Sequence, residues 1–349
     1  MKIVPTLLAL CATAALCAQT PAPQPDSALS ARVERLETKN SKWSRVLEHL
    51  PRISGYLQTG YEWSDNSSTF FIKRIRLSLA GDIVRDRLDY RLQVEFASSP
   101  KIVDAYVQYT PCGALNIKVG QYKVPFSIEN TDYPPLRLEL IDYPMALQRL
   151  MGLSEPIGGG TLASTGRDMG ATLWGGLIER DGYRLINYDF GVFNGSGINT
   201  KDKNRSKDIA ARLTLKPVRG LLLSGSYYRG EYGENYLRRV RYGAGVCYDR
   251  GAGVVRGEWI GGKTGDTESA GWYVTGGWRA TRSLMPVVRY DTYESDTSRA
   301  SVRQTNYTAG LVWAPVKYLR CQLNYTYEDY ADRQTDGRNV LTAMFTGMF

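Results

Sequence analysis

Residues that could carry out catalysis are scarce in this chain. His49 is the only histidine among 349 residues, and it precedes every segment that is predicted below to be a strand. Hydrolytic sites generally use a histidine as the general base, so a Ser-His or Asp-His pair within the predicted strands is impossible. The sequence also contains no glycine-rich phosphate loop and no clustered set of metal ligands. It therefore predicts neither an enzyme nor a bound cofactor.

The cysteines do not suggest redox or metal chemistry. Cys11 and Cys17 belong to an amino-terminal segment that is predicted to be removed, and Cys112, Cys247 and Cys321 lie far apart. A disulfide framework or a metal site would require paired spacings. The sequence therefore predicts three free thiols and no metal site.

Basic side chains remain as candidates, and their chemistry is electrostatic. The formal net charge is +9, and Arg74 and Arg76 alternate with the apolar residues Ile75 and Leu77. In a membrane barrel such alternation separates a lipid face from a lumen face, because an arginine facing lipid at the bilayer midplane costs about 2–4 kcal/mol. Arg74 and Arg76 are therefore predicted on the lumen face. By the same alternation, the following basic residues also face the lumen: Lys118, Arg212, Arg241, Arg256, Arg289 and Arg320.

Cations that line a confined water-filled pore raise the local concentration of anions. Inward acids would offset part of this field, at Asp89, Glu95, Asp104, Asp168, Asp208, Glu258 and Asp291. The basic excess nevertheless favours a preference for anions. The pore and anion-path candidates are Arg74, Arg76, Arg91, Lys118, Lys123, Arg137, Arg149 and Arg167.

Short segments with a period of two would position these side chains, and about sixteen of them follow one another. After the amino-terminal segment, residues 1–18, no run reaches the roughly 18 consecutive apolar residues that a membrane helix requires. The predicted strands are 53–63, 70–81, 88–97, 101–110, 114–122, 168–176, 183–194, 208–216, 220–230, 238–249, 252–261, 270–280, 284–293, 303–313, 317–328 and 339–349.

The connections alternate between tight turns and longer polar loops, as in a barrel that crosses a bilayer. With a periplasmic amino terminus, every tight turn falls on the periplasmic side, and an even number of strands returns the carboxyl terminus there. The last strand alternates and ends in the aromatic Phe349, which is typical of outer-membrane barrels. A soluble sandwich or propeller would not predict this asymmetry. The longer loops are expected at 64–69, 122–167, 194–207, 230–237, 262–269, 294–302 and 329–338.

The fold class is therefore all-β: a transmembrane antiparallel β-barrel of about sixteen strands, with a short amino-terminal α-helical, coiled-coil-like segment. Residues 1–18 resemble a secretory signal peptide, because Lys2 precedes an apolar run and small residues. Residues 19–28 form a Pro-rich linker, and residues 51–349 form the barrel domain. The protein is expected in the outer membrane of a Gram-negative bacterium, exported through its cleaved signal peptide.

Residues 29–50 are predicted to form an amphipathic helix. Apolar residues recur there with spacings of 4 and 3, and Asn40 occupies a position in the seam. Two interpretations remain open, since three heptads make only a marginal helix by themselves. The helix either associates between subunits or lies on the periplasmic rim of the barrel.

The segment 121–167 is too long for a plain connection. It contains Pro125, the Tyr133-Pro134-Pro135 turn and a short helical pattern after Pro144. In a wide barrel such a loop commonly folds into the lumen and narrows it, which is the prediction here; an extracellular flap is the alternative. On the first interpretation Arg137, Arg149 and Arg167 lie at the narrow zone beside Lys123.

Several short motifs resemble one family of porins. They are Arg74-Ile-Arg76, Asp104-Ala-Tyr-Val107, Gly120-Gln-Tyr-Lys-Val-Pro-Phe-Ser-Ile-Glu129, Gly166-Arg-Asp168 and Val192-Phe-Asn-Gly-Ser-Gly-Ile-Asn199. In this order and spacing they are similar to the phosphate-selective porin O/P family, over about residues 55–349. The resemblance implies a sixteen-stranded homotrimeric outer-membrane porin with an inward third loop, and in some members a selectivity for phosphate or polyphosphate.

The function predicted from the sequence is thus an outer-membrane porin for passive diffusion of small hydrophilic solutes. Its partners would be the lipid bilayer, small anions in transit and further copies of the same chain, with no nucleic acid. The alternative is a non-conducting structural or adhesive barrel, which would share all of the strand pattern.

Overall fold

A computed structural model describes residues 50–349 except 152–154, 158–159, 163–165, 203 and 233–235, together with Arg32 and Arg35. The predicted signal peptide and Pro-rich linker lie outside the described residues, and so does the predicted helix 29–50 apart from Arg32, Arg35 and Leu50. In the described part of the chain, no helix is both long and apolar enough to cross a membrane.

Sixteen antiparallel strands among the described residues form a closed barrel, which confirms the predicted antiparallel β-barrel and its strand number. Each strand pairs with its neighbours in sequence, and the short pair β6–β7 stands apart in the connection between β5 and β8. The strands β1 to β18 are Arg52–Ser64, Ser67–Val84, Leu88–Glu95, Lys101–Cys112, Leu115–Lys123, Glu155–Ile157, Gly160–Leu162, Arg167–Arg180, Tyr183–Phe193, Asp208–Leu215, Leu221–Tyr232, Leu237–Arg250, Gly253–Thr264, Thr267–Trp278, Leu284–Glu294, Arg303–Val316, Leu319–Tyr330 and Arg338–Met348.

The barrel closes where the first strand meets the last. Tyr56 of β1 lies opposite Met348 of β18, and the pairing runs without a break to Ser64 and Val340. Gly55 and Phe349 exchange two backbone hydrogen bonds, of 2.9 and 3.0 Å. Closure pairs the backbone N–H and C=O groups of the first and last strands with each other. Hydrocarbon offers these groups no hydrogen bonds, so an unpaired strand edge is not tolerated in the bilayer core.

The two faces of the wall follow the alternation in the sequence. On β13 the side chains of Val255 and Trp259 are 53% and 46% exposed on the outer face, whereas Arg256 and Glu258 are buried inside. On β2, Arg76 and Ser78 are buried in the lumen and Leu77 lies outside, as the pattern predicts. The outer face is therefore an apolar band, and charged side chains occupy the interior.

Two of the predicted long loops are wrong. The segments 64–69 and 262–269 are mostly strand, because β1 and β2 meet at Ser64 and Ser67, and β13 and β14 meet at Thr264 and Thr267. The second turn has Gly265 in the left-handed region, at φ 58°, which a two-residue hairpin favours. The polar residues in these segments are exposed ends of long strands, and their composition alone resembles that of loops.

The connection from β5 to β8, residues 124–166, is called the inner loop. It contains two short helices, α1 (Ile128–Asp132) and α2 (Met145–Leu150), besides the β6–β7 pair. It folds inside the barrel: Phe126, Ile128 and Leu147 are fully buried, and α2 contacts β13, β14 and β15. The "lower" end of the barrel is defined here by Arg52 and Met348, and the "upper" end by the origin of the inner loop.

Gly60 of β1 offers a test of barrel closure. A Cβ at this position would lie 2.3 Å from the carbonyl oxygen of Ala343 on β18, so the strands would have to separate. We expect Gly60→Ala to destabilise the folded barrel by about 1–3 kcal/mol, the usual cost of overpacking. The measurement is urea unfolding in lipid vesicles.

Gly225 of β11 is the matched control, because nothing lies within 4 Å of the Cβ that Gly225→Ala would add. Equal unfolding midpoints for the two variants would contradict the closure between β1 and β18 described above.

Candidate permeation pathway

Most of the inward-facing arginines on β10, β12, β13, β15 and β17 bind the inner loop. They form ion pairs with its carboxylates or donate hydrogen bonds to its backbone carbonyls. The contacts are Arg212 to Asp132, Arg241 to Leu150, Arg256 to Glu129 and Glu139, Arg289 to Asp142, and Arg320 to Leu136 and Leu138. These cations are therefore engaged in holding the loop.

The Arg256 guanidinium is the centre of this attachment. It lies 2.8 Å from a Glu129 oxygen and 2.7 Å from a Glu139 oxygen, and 3.6 Å from the centre of the Tyr133 ring. Only 1% of the Arg256 side chain is exposed. Two carboxylates and an aromatic face therefore compensate the burial of this charge.

Two wall carboxylates fix the starts of the loop helices. Glu258 on β13 accepts hydrogen bonds from Ser127 Oγ at 2.7 Å and from the backbone nitrogens of Ile128 and Glu129 at 2.7 and 3.2 Å. Asp291 on β15 accepts two from the backbone nitrogen of Met145, at 2.9 and 3.2 Å. These bonds satisfy the free N–H groups that a helix leaves at its first turn.

Apolar side chains fill the space between the loop and this wall. Phe126, Ile128 and Leu147 pack in one buried cluster with Tyr228 and Ile260 of the barrel. Burying a large apolar side chain is worth roughly 1.5–3 kcal/mol, so the cluster adds substantially to the polar contacts. The half of the lumen beside β10–β17 is thus occupied by the inner loop.

The open space lies on the other side of the inner loop. A cavity of about 490 Å³, here called the basic chamber, is bounded by β1–β5, β8 and β9 and by loop residues 125–136. Five cations and two carboxylates contribute to its lining, in addition to aromatic and apolar side chains. The charged residues are Arg76, Arg91, Lys118, Lys123, Arg167, Asp104 and Asp189.

The cations are distributed along the height of the wall. Arg91 and Lys118 lie three residues from the lower ends of β3 and β5, whereas Lys123 and Arg167 are at the upper ends of β5 and β8. Arg76 is near the middle of β2. An anion that entered the chamber would therefore meet successive positive charges along the direction of transport.

These cations differ in how far neighbouring carboxylates neutralise them. Arg76 lies 2.8 Å from Glu95, and Arg167 lies 2.7 Å from Asp104. Lys118 and Arg91 have no carboxylate within 4.0 Å in the described part of the chain. Lys123 also has no such carboxylate, but it donates to the carbonyl of Asn130, so the positive charges of Lys118 and Arg91 are the ones most available to a mobile anion.

A second point of attachment narrows the lumen at the upper end of the chamber. Lys73 on β2 reaches across to Asp142 of the inner loop at 2.5 Å, and Lys123 donates to the carbonyl of Asn130, also at 2.5 Å. The charge and hydrogen bond of Lys73 lower the pKa of Asp142, whose side chain is 53% exposed. Asp142 therefore stays ionised and keeps this attachment at neutral pH.

Tyr143 lies beside this attachment. Burial raises the pKa of its hydroxyl to about 12, so the hydroxyl stays protonated and donates to the carbonyl of Tyr133 at 3.1 Å. Lys123 Nζ lies 3.5 Å from the same hydroxyl oxygen. The Tyr143 hydroxyl and the Lys123 side chain, both hydrogen-bond donors, thus lie together at the narrow zone between the chamber and the upper end of the lumen.

Five of the eight sequence candidates line the basic chamber, namely Arg76, Arg91, Lys118, Lys123 and Arg167. The other three are placed elsewhere. Arg74 donates to Gln58 Oε1 on the adjacent wall at 2.8 Å. Arg137 lines a separate cavity with Lys216 and Arg219 at the lower end, and Arg149 lines another with Glu62 and Glu328 near the upper end.

Reasoning from the sequence missed two groups of residues. Strict alternation along β2 places Lys73 on the outer face. A bulge after Ile72 interrupts that alternation, so the sequence pattern does not predict Lys73 in the lumen. The acids of the inner loop, Glu129, Asp132 and Glu139, were the signal that opposing wall arginines would be paired. Their partners could not be identified without the path of the loop.

A comparison with protein families matches residues 55–229 to the family described as phosphate-selective porin O and P. The match covers half of the chain. The chain belongs to the phosphate-selective porin O and P family. It is accordingly an outer-membrane porin of a Gram-negative bacterium, and a channel rather than an enzyme. No curated protein sequence is a significant match.

Solved structures with the same fold are distant in sequence. The anion-selective porin from Comamonas acidovorans is 15% identical, with a TM-score of 0.68 over 86% of this chain and 99% of that one. The outer membrane channel DcaP of Acinetobacter baumannii is also 15% identical, with a TM-score of 0.61 over 86% and 97%. OprB of Pseudomonas putida is 9% identical, with a TM-score of 0.64 over 90% and 97%.

Glu258 provides a test of how this porin holds its inner loop. Glu258→Ala removes the acceptor for Ser127, for two backbone N–H groups and for the Tyr273 hydroxyl at 2.7 Å. Each buried donor left without a partner costs about 1–3 kcal/mol, so we expect the loop to detach from β13. Single-channel recordings should show a larger and noisier conductance.

The control is Glu268→Ala, because the Glu268 side chain is 65% exposed on β14. It should leave conductance and current noise unchanged. A quiet conductance of the original size in Glu258→Ala would contradict the anchoring role of Glu258.

Proposed function

We propose that this porin is a passive diffusion channel that prefers small anions, and that the basic chamber is the source of the preference. The observation that carries the proposal is the distribution of charge. Five cationic side chains but only two carboxylates line the basic chamber, which is the open part of the lumen. On the opposite wall, most of the inward arginines are engaged with the inner loop.

The chamber is narrow enough for these charges to act. At physiological ionic strength the Debye length is about 8 Å, so exposed charges farther apart than this are largely screened. A solute in the chamber passes within that range of several cations, and low-dielectric walls strengthen the field. The formal net charge of the whole chain, +9, is a poorer guide, since it also counts charged residues outside the chamber.

Comparisons with known proteins support anions as the class of solute, but they do not identify a particular anion. The porin from Comamonas acidovorans is described as anion-selective, although at 15% identity it shares only the fold with this chain. The family is described as phosphate-selective. Phosphate and polyphosphate are therefore candidate solutes within the proposed class of anions.

We also propose that the porin assembles as a homotrimer. A structure of OmpT from Vibrio cholerae with the same fold, 13% identical to this chain, is of a trimer form. Residues 29–50 would add an inter-subunit coiled coil if their heptad pattern is used for association. The mass of the purified protein in mild detergent tests the assembly, and a monomer would contradict it.

A non-conducting structural or adhesive barrel is the alternative function, because the inner loop fills much of the lumen. Planar bilayers distinguish the two. Discrete current steps from the purified protein are expected, and their absence would favour the structural barrel.

The selectivity is tested by neutralising Arg91 and Lys118, two of the chamber cations that have no carboxylate within 4.0 Å among the described residues. We expect Arg91→Gln with Lys118→Gln to lower the anion-to-cation permeability ratio by at least about twofold, most strongly at low salt. The measurement is the reversal potential in a KCl gradient.

The control removes the same charge from exposed positions outside the chamber, with Lys201→Gln and Arg333→Gln. It should change the ratio little. If the two double variants lowered the ratio equally, selectivity would arise from overall charge, and the chamber would not be its source.

A further inference from the structure

The basic chamber combines its cations with aromatic rings. Lys118 Nζ lies 4.7 Å from the centre of the Tyr106 ring, 5.3 Å from that of Tyr122 and 5.8 Å from that of Trp174. Tyr122 is buried, but Tyr106 and Trp174 are only partly buried and line the cavity. The most available cation of the chamber is therefore surrounded by apolar ring surface.

The inner loop gives the chamber a second apolar side. Pro134, Pro135 and Leu136 line the same cavity, and Pro134 is exposed to it while Leu136 is partly buried. Proline rings and a leucine side chain offer no hydrogen bonds to a hydrated inorganic anion. They do offer contact area to a solute with an apolar body.

We propose that the chamber favours organic anions that carry a flat apolar ring, such as aryl carboxylates. The carboxylate would lie near Lys118 and Arg91, and the ring would contact Trp174 and Tyr106 on one side and Pro134 and Leu136 on the other. This inference rests on the proposed anion preference and goes beyond it, because charge alone does not distinguish ring-bearing anions from ringless ones.

The opposing interpretation is that the rings only hold Lys118 in place through cation–π contacts. The two interpretations differ in their response to a pair of probes with the same charge. If the rings are purely structural, benzoate and acetate should reduce the chloride current at similar concentrations. If the rings contact the solute, benzoate should act at lower concentration.

The test is the reduction of single-channel chloride current by added benzoate, acetate or neutral benzamide. We expect half-reduction by benzoate at a concentration about fivefold below that of acetate, as one aromatic contact would produce. Benzamide, which lacks the charge, should have little effect. Equal concentrations for benzoate and acetate would overturn the inference.

Trp174→Leu removes one ring while retaining an apolar side chain. It should bring the half-reduction concentration of benzoate close to that of acetate. Trp313→Leu is the matched control, because Trp313 is 48% exposed on the outer face of β16, and it should behave like the original protein.

Tyr106→Leu makes the same comparison if Trp174→Leu does not form channels. Benzoate that stays fivefold more effective than acetate in the ring variant would overturn the assigned contact. The permeability ratio and the benzoate measurement test different proposals, so one can fail without the other. A protein that prefers anions but treats benzoate and acetate alike is still an anion porin, whereas one without anion preference is not.

Discussion

The attachment of the inner loop to one side of the barrel determines what the lumen of this porin can do. Its centre is Arg256, buried between Glu129 and Glu139. Removing one member of a buried ion pair typically costs about 3–5 kcal/mol, because the remaining charge has no compensation. Glu258 and Asp291 add hydrogen bonds to the helix starts. Together these contacts fill one half of the lumen and leave the other half open.

The division of the lumen separates two uses of the same residue type. Most of the inward arginines on β10–β17 neutralise loop carboxylates or bind loop carbonyls, so they stabilise structure. Lys118 and Arg91, on the opposite wall, have no carboxylate within 4.0 Å among the residues that the structure describes, and they remain available to solutes. A count of inward cations would assign both groups to permeation. The path of one loop determines which group reaches the water-filled space.

The barrel was largely predictable from the sequence, because alternation of apolar and polar residues has a direct physical cause at the lipid boundary. The alternation predicts all sixteen strands of the barrel, whereas the composition at 64–69 and 262–269 predicts loops, because exposed strand ends and loops share a composition. The site was less predictable. Parity identified Arg76, Arg91 and Lys118 as inward, but it could not separate them from Arg256, since pairing depends on contacts over 100 residues apart in sequence.

We propose that solutes pass on the β2–β9 side of the inner loop and not on the other. The most direct measurement compares Lys118→Cys, in the basic chamber, with Thr275→Cys, a buried lumen position on β14. An anionic, water-soluble methanethiosulfonate is added during current recording, with the response of the original cysteines subtracted. We expect rapid modification and loss of current in Lys118→Cys, and no change in Thr275→Cys. Equal rates, or faster modification of Thr275→Cys, would contradict it.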